Sequence, residues 1–163
     1  MFCVSLRLFS NRVRLTALFT VLIFAAISTS SSNAQRQKIT AEEPIFTEFK
    51  GVRIGTPAEE ARKKLGSPRD KADDQDFYVF NDTQAVQVYY DKSKMVSAIS
   101  IDFMTGAEKV PLPREVVGSE ADTRPDGSQY KMVRYPKAGF WVAYSKTAGA
   151  SPTITITIQK IDN

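Results

Sequence analysis

The chain has 163 residues, with 22 basic and 18 acidic side chains, no histidine and a single cysteine, Cys3. Without histidine, and with cysteine only at the extreme N-terminus, it lacks the residues of a Ser-His-Asp triad, a common zinc site or an imidazole acid/base catalyst. Only carboxylate, Lys, Tyr or Ser chemistry remains open. We therefore predict a protein that is not an enzyme and that uses neither a metal nor a cofactor.

The first 34 residues have the layout of a secretory signal peptide. Arg7, Arg12 and Arg14 precede an apolar run from Leu15 to Ile27, and small residues follow up to Ala34. The run has roughly 13 residues, against the roughly 20 that a membrane-spanning helix needs. We therefore favour cleavage near Ala34 over a permanent anchor, and predict a periplasmic or secreted protein with no transmembrane helix in the mature chain.

Loss of the signal peptide changes the charge balance. The three arginines leave with it, so the mature chain holds 19 basic and 18 acidic residues and is close to neutral. Nucleic-acid binding depends on neutralising many phosphates with Lys and Arg. We therefore predict that nucleic acid is not a partner.

The mature chain opens with a flexible leader over residues 35–48 and continues into a helix over residues 57–65. Thr56 and Glu59 have the spacing of a capping box, in which the Thr hydroxyl accepts from the Glu59 N–H and the Glu59 carboxylate reaches back. Pro57 suits the first helical position, and Gly66 suits the left-handed residue that ends a helix.

From Asp76 onward apolar residues alternate with polar ones, the pattern of half-buried strands. One face of the predicted sheet carries Val86, Val88 and Tyr90, and the other carries Gln87 and Tyr89. Short polar turns separate the strands at lengths that suit antiparallel hairpins. The pattern predicts a helix followed by three antiparallel strands.

The second half resembles the first at an offset of 52 to 54 residues. The matched positions are Leu65-Gly66-Ser67 with Val117-Gly118-Ser119, Tyr78 with Tyr130, and Val86, Val88 and Tyr90 with Phe140, Val142 and Tyr144. The third strand recurs as Ile154, Ile156 and Ile158 alternating with threonine. A tandem duplication explains this match, and strands of similar period arising independently are the alternative.

Together these patterns predict an α+β fold with an antiparallel sheet of about six strands. The helix over 57–65 and a relic helical turn over 113–117 pack on one sheet face, because Pro111 and Pro113 forbid a longer second helix. The predicted divisions are a signal peptide over 1–34, the leader over 35–48, a helix-plus-three-strand unit over 49–104, and a degenerate second copy over 105–163 that shares the sheet.

Three segments in this order, "GVRIGTPAEEARKKLGSP", "DFYVF" and "AVQVYYDKSKMVSAISID", resemble the outer-membrane assembly lipoprotein family BamE, also called SmpA/OmlA. In that family a glycine, a Thr or Ser cap, a charged helix and Leu-Gly-x-Pro precede a Tyr-containing strand and a two-strand hairpin. The resemblance covers residues 49–103 and implies a bacterial envelope setting. The tandem arrangement looks like the related beta-lactamase-inhibitor-protein (BLIP-like) fold.

This chain departs from the lipoprotein family at two points. The lipidated cysteine of the family is missing, because Ala34-Gln35 stands at the predicted cleavage site, and the family's compact lipoprotein has no second unit. The resemblance therefore implies a fold and an envelope setting more strongly than it implies membership of the outer-membrane assembly machine.

Trp141, Tyr89 and Arg53 are the candidate partner-binding residues. Trp141 and Tyr89 project from the predicted outer sheet face and suit a contact patch, because Trp and Tyr dominate interface energetics. The alternative is that the loop over 105–128 folds over them as a small second core. Arg53 is either a contact to a partner or to a lipid phosphate, or an ordinary surface arginine.

A cluster of carboxylates in "KADDQDF" is the remaining candidate for chemistry. Asp73, Asp74 and Asp76 lack the glycine and distal glutamate of a calcium loop. We interpret them as a solvated loop leading into a strand.

These observations predict an extracytoplasmic module that binds a protein partner through the exposed sheet face, with a role in envelope assembly. Peripheral lipid contact is compatible with this prediction. The alternatives are a periplasmic binder of a small apolar or lipid ligand held between sheet and helix, and an inhibitor-like protein.

Overall fold

The computed structural model of the protein describes residues 43–162. The predicted signal peptide, the cleavage site near Ala34 and most of the leader lie outside these residues. No helix in the part of the chain that is described is long and apolar enough to cross a membrane.

The described chain contains two short helices and ten strands, and most of it is antiparallel sheet. In chain order the elements are β1 (Glu48–Phe49), β2 (Val52–Arg53), α1 (Ala58–Leu65), β3 (Asp70–Lys71), β4 (Gln75–Asn81), β5 (Gln84–Tyr90), β6 (Val96–Phe103), α2 (Pro113–Val117), β7 (Asp122–Thr123), β8 (Gln129–Tyr135), β9 (Phe140–Lys146) and β10 (Ile154–Lys160).

The main sheet has eight strands in the order β3-β4-β5-β6-β10-β9-β8-β7, and β1 and β2 form a separate two-stranded sheet. The prediction of about six strands in one antiparallel sheet is confirmed for the six long strands. It missed the two-residue strands β3 and β7, one at each edge. Such short edge strands give another chain little backbone to pair with.

From either edge the main sheet consists of one two-residue strand followed by three long strands, and β6 pairs with β10 at the centre. One predicted match between the halves is wrong. Tyr78 is buried on the helix side of the sheet, whereas Tyr130 lies 37% exposed on the other side. Tyr78 pairs with Val86, and the residue that pairs with Phe140 is Tyr135.

The core lies between one face of the main sheet and a layer formed by α1, α2 and β2. The predicted alternation is confirmed here, because Val86, Val88 and Tyr90 are all buried, as are Val142 and Tyr144. Ala58, Ala61 and Leu65 form the buried stripe of α1, and Pro113, Val116 and Val117 are the buried residues of α2. The expected packing of both helical segments on one face is therefore present.

The predicted capping box of α1 is absent. Pro57 is the N-cap residue rather than the first helical residue, and it makes no side-chain cap hydrogen bond. The Thr56 hydroxyl instead accepts from the Arg53 N–H at 3.1 Å, and the Glu59 carboxylate accepts from Arg62 at 2.6 Å.

Backbone pairing with β6 explains why α1 begins late. The Val96 N–H donates to the Thr56 carbonyl at 2.8 Å, and the Ala58 N–H donates to the Lys94 carbonyl at 2.9 Å. These bonds keep residues 55–57 extended. At the other end Gly66 has the expected positive φ of 90°, but its ψ of −164° lies outside the left-handed helical region.

The predicted relic turn over 113–117 is α2, and it carries the reciprocal capping that α1 lacks. The Leu112 N–H donates to the Glu115 carboxylate at 2.8 Å. The Glu115 N–H donates to the Leu112 carbonyl at 2.9 Å. These two bonds satisfy backbone groups that would otherwise have no hydrogen-bond partner within a five-residue helix.

Candidate functional site: the open face of the sheet

The sheet face opposite the helices, here called the open face, is a grid of three rows crossing the six long strands. The register places Gln75, Tyr89, Ala98, Gln159, Trp141 and Arg134 in the first row, Phe77, Gln87, Ser100, Thr157, Ala143 and Met132 in the second, and Val79, Ala85, Asp102, Thr155, Ser145 and Tyr130 in the third.

Nothing among the described elements packs over this grid. The buried side chains of both helices belong to the core on the other side of the sheet. The loop over 105–128 also lies on the helix side, because Ala107, Val110 and Ala121 pack against that core. The loop therefore does not form a second core over Trp141 and Tyr89.

The composition of the open face differs from that of an ordinary surface. Arg134 and Asp102 are the only charged residues among these eighteen positions, none of which is Lys or Glu, and the edge strands add Asp70 beside Phe77 and Asp122 beside Tyr130. Protein interfaces are enriched in aromatic residues, Met and Arg, and depleted in Lys and Glu. The open face follows this pattern, although charged residues make up 25% of the chain.

Large and small side chains are segregated across the grid. The two central strands carry small or short polar residues, chiefly Ala98, Ser100, Thr155 and Thr157. Aromatic residues and Met flank them, with Phe77 and Tyr89 on one side and Tyr130, Met132 and Trp141 on the other. The strip of β6 and β10 between these flanks is here called the trough, and only in its first row do large side chains, Tyr89 and Trp141, border it directly.

One end of the trough deepens into a depression of about 510 Å³. Tyr89, Ala98, Ser100, Thr157 and Gln159 line its floor and wall, and Asp91, Lys160 and Asp162 form a charged rim. Lys160 donates to the Asp91 carboxylate at 3.3 Å. The pKa of Asp91 lies below its usual value. The hydrogen bond from the Met95 backbone lowers it most, and those from Lys160 and the Ser93 backbone add to this, whereas partial desolvation raises it.

Hydrogen bonds hold the Tyr89 wall in place. The Tyr89 hydroxyl donates to the Gln87 side-chain oxygen at 2.7 Å, and the Gln87 amide donates to Gln75 at 3.2 Å. On the floor the Thr155 hydroxyl donates to Asp102 at 2.7 Å. The wall and floor are therefore ordered before any partner arrives, which lowers the entropy cost of binding.

The structure brings Trp141 and Tyr89 together on the open face and places Arg53 elsewhere. Arg53 belongs to β2, whose Val52 is fully buried in the core on the helix side. Its guanidinium is 68% exposed and pairs with Glu48 at 3.2 Å.

Sequence reasoning missed a buried charge cluster on the helix side. Asp73 and Asp74 are exposed as expected, but Asp76 is 0% exposed, so the solvated-loop interpretation is wrong for that residue. Its carboxylate accepts from Arg62 of α1 at 2.8 and 3.1 Å. It also accepts from the Tyr90 hydroxyl at 2.7 Å and the Tyr78 hydroxyl at 3.3 Å.

Two sequence signals pointed to this cluster. Asp76 precedes the buried Tyr78 by two residues, so strand alternation puts both on the same face. Arg62 lies four residues after Ala58 and three before Leu65, beside the buried stripe of α1. Neither signal alone identified the pair, because the two residues are 14 apart in the sequence.

The four side chains shift one another's pKa values. Burial alone would raise the pKa of Asp76, but hydrogen bonds from Arg62 and then from the tyrosines outweigh it and hold that pKa below its usual value. Burial and the adjacent carboxylate raise the pKa of Tyr78 to about 12 and also raise the pKa of Tyr90. At neutral pH the cluster is therefore an ion pair with two neutral phenols.

The described residues contain no group of three or more potential ligand side chains placed to hold a metal ion. A depression of about 350 Å³ beside α1 is lined in part by Glu59, Arg62, Asp73 and Lys94. Pro57, Ala58 and Met95 also line it, so its lining is mixed rather than uniformly apolar.

Comparisons with known proteins returned no matching family model, no matching curated protein and no matching solved structure.

Proposed function

We propose that this protein is a non-enzymatic binding module of the bacterial cell envelope, and that it holds a protein partner on the open face. The observation that carries the proposal is the composition of that face. Arg134 and Asp102 are the only charges on eighteen positions, and the flanks are formed by aromatic residues and Met. This composition is typical of the buried part of a protein interface.

The open face is a larger surface than either edge of the sheet. The strands β3 and β7 each pair with two residues of β4 and β8, so a partner strand would find only a short free stretch at each edge. The open face offers six long strands, which span about 24 Å at a spacing of ~4.8 Å.

The chemistry of the open face specifies the partner surface. A charge-poor face pairs best with a charge-poor surface, because a buried unpaired charge is costly. The trough requires a raised element on the partner that fits between Tyr89 and Trp141. A carboxylate at the margin of the partner surface would meet Arg134, which lies in the same row as Trp141.

The envelope setting rests on the resemblance of residues 49–103 to the BamE (SmpA/OmlA) family and on the signal-like N-terminus. The symmetric arrangement of one short and three long strands on each side of the β6–β10 pair supports the further proposal that the second half is a degenerate copy of the first. In that arrangement each half contributes one wall of the trough, and an inhibitor-like role on a folded protein surface is compatible with it.

The test is affinity capture from envelope extracts with residues 35–163 as bait, followed by titration of the captured protein in purified form. Trp141→Ala and Tyr89→Ala are compared with wild type and with Arg53→Ala, a control on the helix side. Removal of a central aromatic anchor costs about 2 kcal/mol or more, or roughly 30-fold in Kd.

Loss of the same protein with both aromatic variants, but not with Arg53→Ala, would support the open face as the binding surface. Identical captured proteins and identical affinities for all four baits would remove it. A captured protein lost only with Arg53→Ala would place the interface on the helix side instead.

A further inference from the structure

The first row of the open face combines two raised aromatic side chains with a hollow between them. Tyr89 and Trp141 stand on either side of Ala98 and Gln159, three strand spacings or about 14 Å apart. Ala98 is only 8% exposed although no described element covers it, so its neighbours rise above it. A side chain midway between the two aromatic residues would lie about 7 Å from each, within the range of contact between aromatic rings.

We propose that the partner of the open face is a second copy of this chain, and that each copy places Trp141 in the trough of the other. This identity of the partner rests on the function proposed above. A two-fold axis parallel to the strands and lying over β10 reverses the strand order and keeps each row opposite itself. Across the first row the order then becomes Tyr89, the second copy's Trp141, Trp141 and the second copy's Tyr89, at intervals of about 7 Å.

The same arrangement gives Arg134 a partner. Arg134 lies one strand beyond Trp141 in the first row, so it comes over the second copy's Tyr89 and beside the depression at the end of the trough. The rim of that depression carries two carboxylates, those of Asp91 and Asp162, against one lysine. A guanidinium is attracted both by the face of a tyrosine ring and by a carboxylate. The only cation of the grid therefore meets an acidic rim.

The other two rows bring large side chains against short ones. Met132 and Tyr130 of β8 are 41% and 37% exposed. In the second row Met132 comes beside the second copy's Ser100, and in the third row Tyr130 comes between the second copy's Ala85 and Asp102. The Tyr130 hydroxyl is then placed to donate to the Asp102 carboxylate. Neither charge of the grid is buried without a partner, which a stable contact requires.

The area of contact sets the expected strength of the dimer. The two faces overlap over about four strands and three rows, roughly 20 Å by 20 Å. Protruding side chains increase this flat area of about 400 Å² per copy, but the interface remains at the lower end of the sizes of specific protein contacts. We therefore expect a reversible dimer that dissociates at micromolar concentrations.

The test measures the mass of residues 35–163 by sedimentation equilibrium at concentrations from about 1 µM to about 1 mM. Trp141 is the only tryptophan of the chain, so its fluorescence reports on the interface directly. We expect the mass to rise from monomer to dimer, and the emission of Trp141 to shift to shorter wavelength over the same concentrations. Trp141→Ala should weaken the dimer by at least about 30-fold.

A charge exchange tests the orientation of the two copies. Arg134→Glu places a carboxylate against Asp91 and Asp162 and should weaken the dimer by at least about tenfold. Asp162→Arg in the same chain should restore the affinity, which a general effect on folding would not explain. Arg114→Glu makes the same change on the helix side, where Arg114 is 72% exposed, and should leave the dimer unchanged.

A chain that stays monomeric at every concentration, with unchanged Trp141 emission, would overturn this identity of the partner. A dimer that forms equally well in Trp141→Ala would overturn it too, and a dimer weakened by Arg134→Glu but not restored by Asp162→Arg would overturn the two-fold arrangement. If the monomeric chain still captures a different protein through Trp141, the function proposed above stands and only the second copy is wrong as the partner.

Discussion

Tyr89 and Trp141 lie in the same row of the open face, with Ala98 and Gln159 between them. Tyr89 belongs to the first half of the chain and Trp141 to the second. Three strand spacings separate them, about 14 Å at ~4.8 Å per spacing. A single α-helix with its side chains is about 10–12 Å across, so the trough has room for one such element or one hairpin of a partner.

The trough depends on its small floor residues, and enlarging one of them should block binding. Ser100 is half-buried at the centre of the grid, between Gln87 and Thr157. Ser100→Phe places a ring where the partner element would sit. We expect binding of the protein captured by the wild-type chain to fall at least tenfold, as measured by titration calorimetry.

The change at Ser100 should leave the fold intact, because its side chain faces away from the core. We expect the free energy of unfolding to change by no more than about 0.5 kcal/mol, as for other surface substitutions. Lys63→Phe, on the exposed side of α1, adds the same ring away from the trough and should leave affinity unchanged. Wild-type affinity in Ser100→Phe would show that the trough is not the contact surface.

Sequence patterns predicted the strands and their faces well, and predicted the site only in part. Alternation was enough to place Tyr89 and Trp141 on the side opposite Val88 and Val142. The two aromatic residues share a row because β6 pairs with β10. This pairing joins residues that are more than 50 positions apart in the sequence. No local pattern contains that information.

The two helical arginines should differ sharply in their contribution to stability. Arg62→Met leaves the buried Asp76 carboxylate without its cation, and breaking one partner of a buried pair costs about 3–5 kcal/mol. Arg114→Met removes an exposed pair with Glu120, which is worth about 0–1 kcal/mol. Urea unfolding of both variants measures the difference, and equal losses would contradict a buried, intact Asp76–Arg62 pair.

The burial of Asp76 shows why sequence reasoning fell short on the helix side. Three aspartates in four positions usually indicate a solvated loop, and Asp73 and Asp74 conform to that expectation. Asp76 is in phase with Tyr78, but a buried carboxylate is unfavourable without a partner. The partner, Arg62, sits on a helix whose charged residues otherwise face water, so its inward direction becomes evident only once α1 is placed on the sheet.

The absence of a capping box on α1 can be tested at Thr56 and Glu59. Thr56→Val removes the acceptor for the Arg53 N–H from a site that is 6% exposed. We expect a loss of about 1–2 kcal/mol in the free energy of unfolding. Glu59→Ala removes only an ion pair in which Glu59 is 82% exposed, so its cost should stay below about 1 kcal/mol.

A capping box would give a different result at Glu59. There the carboxylate would satisfy a backbone N–H, and both substitutions would cost about 1 kcal/mol each. Thermal or urea unfolding of the two single variants separates the cases. A Glu59→Ala loss as large as that of Thr56→Val would contradict the absence of a capping box.

The lowered pKa of Asp76 predicts a loss of stability in acid that is specific to the buried pair. A carboxyl group with a folded-state pKa below its unfolded value of about 3.9 contributes stability at higher pH, and that contribution is lost as the pH falls through the folded-state pKa. Wild type should therefore lose more unfolding free energy between pH 7 and pH 2 than Asp76→Asn with Arg62→Gln. Asp91 and Asp126 also have lowered pKa values, but they are present in both proteins and cancel in the difference.

Urea unfolding at a series of pH values measures the difference in unfolding free energy between wild type and the double variant, which should be largest near neutrality and shrink below about pH 4. A difference that stays constant over the whole range would show that Asp76 does not titrate with folding and would contradict its role as the buried partner of Arg62.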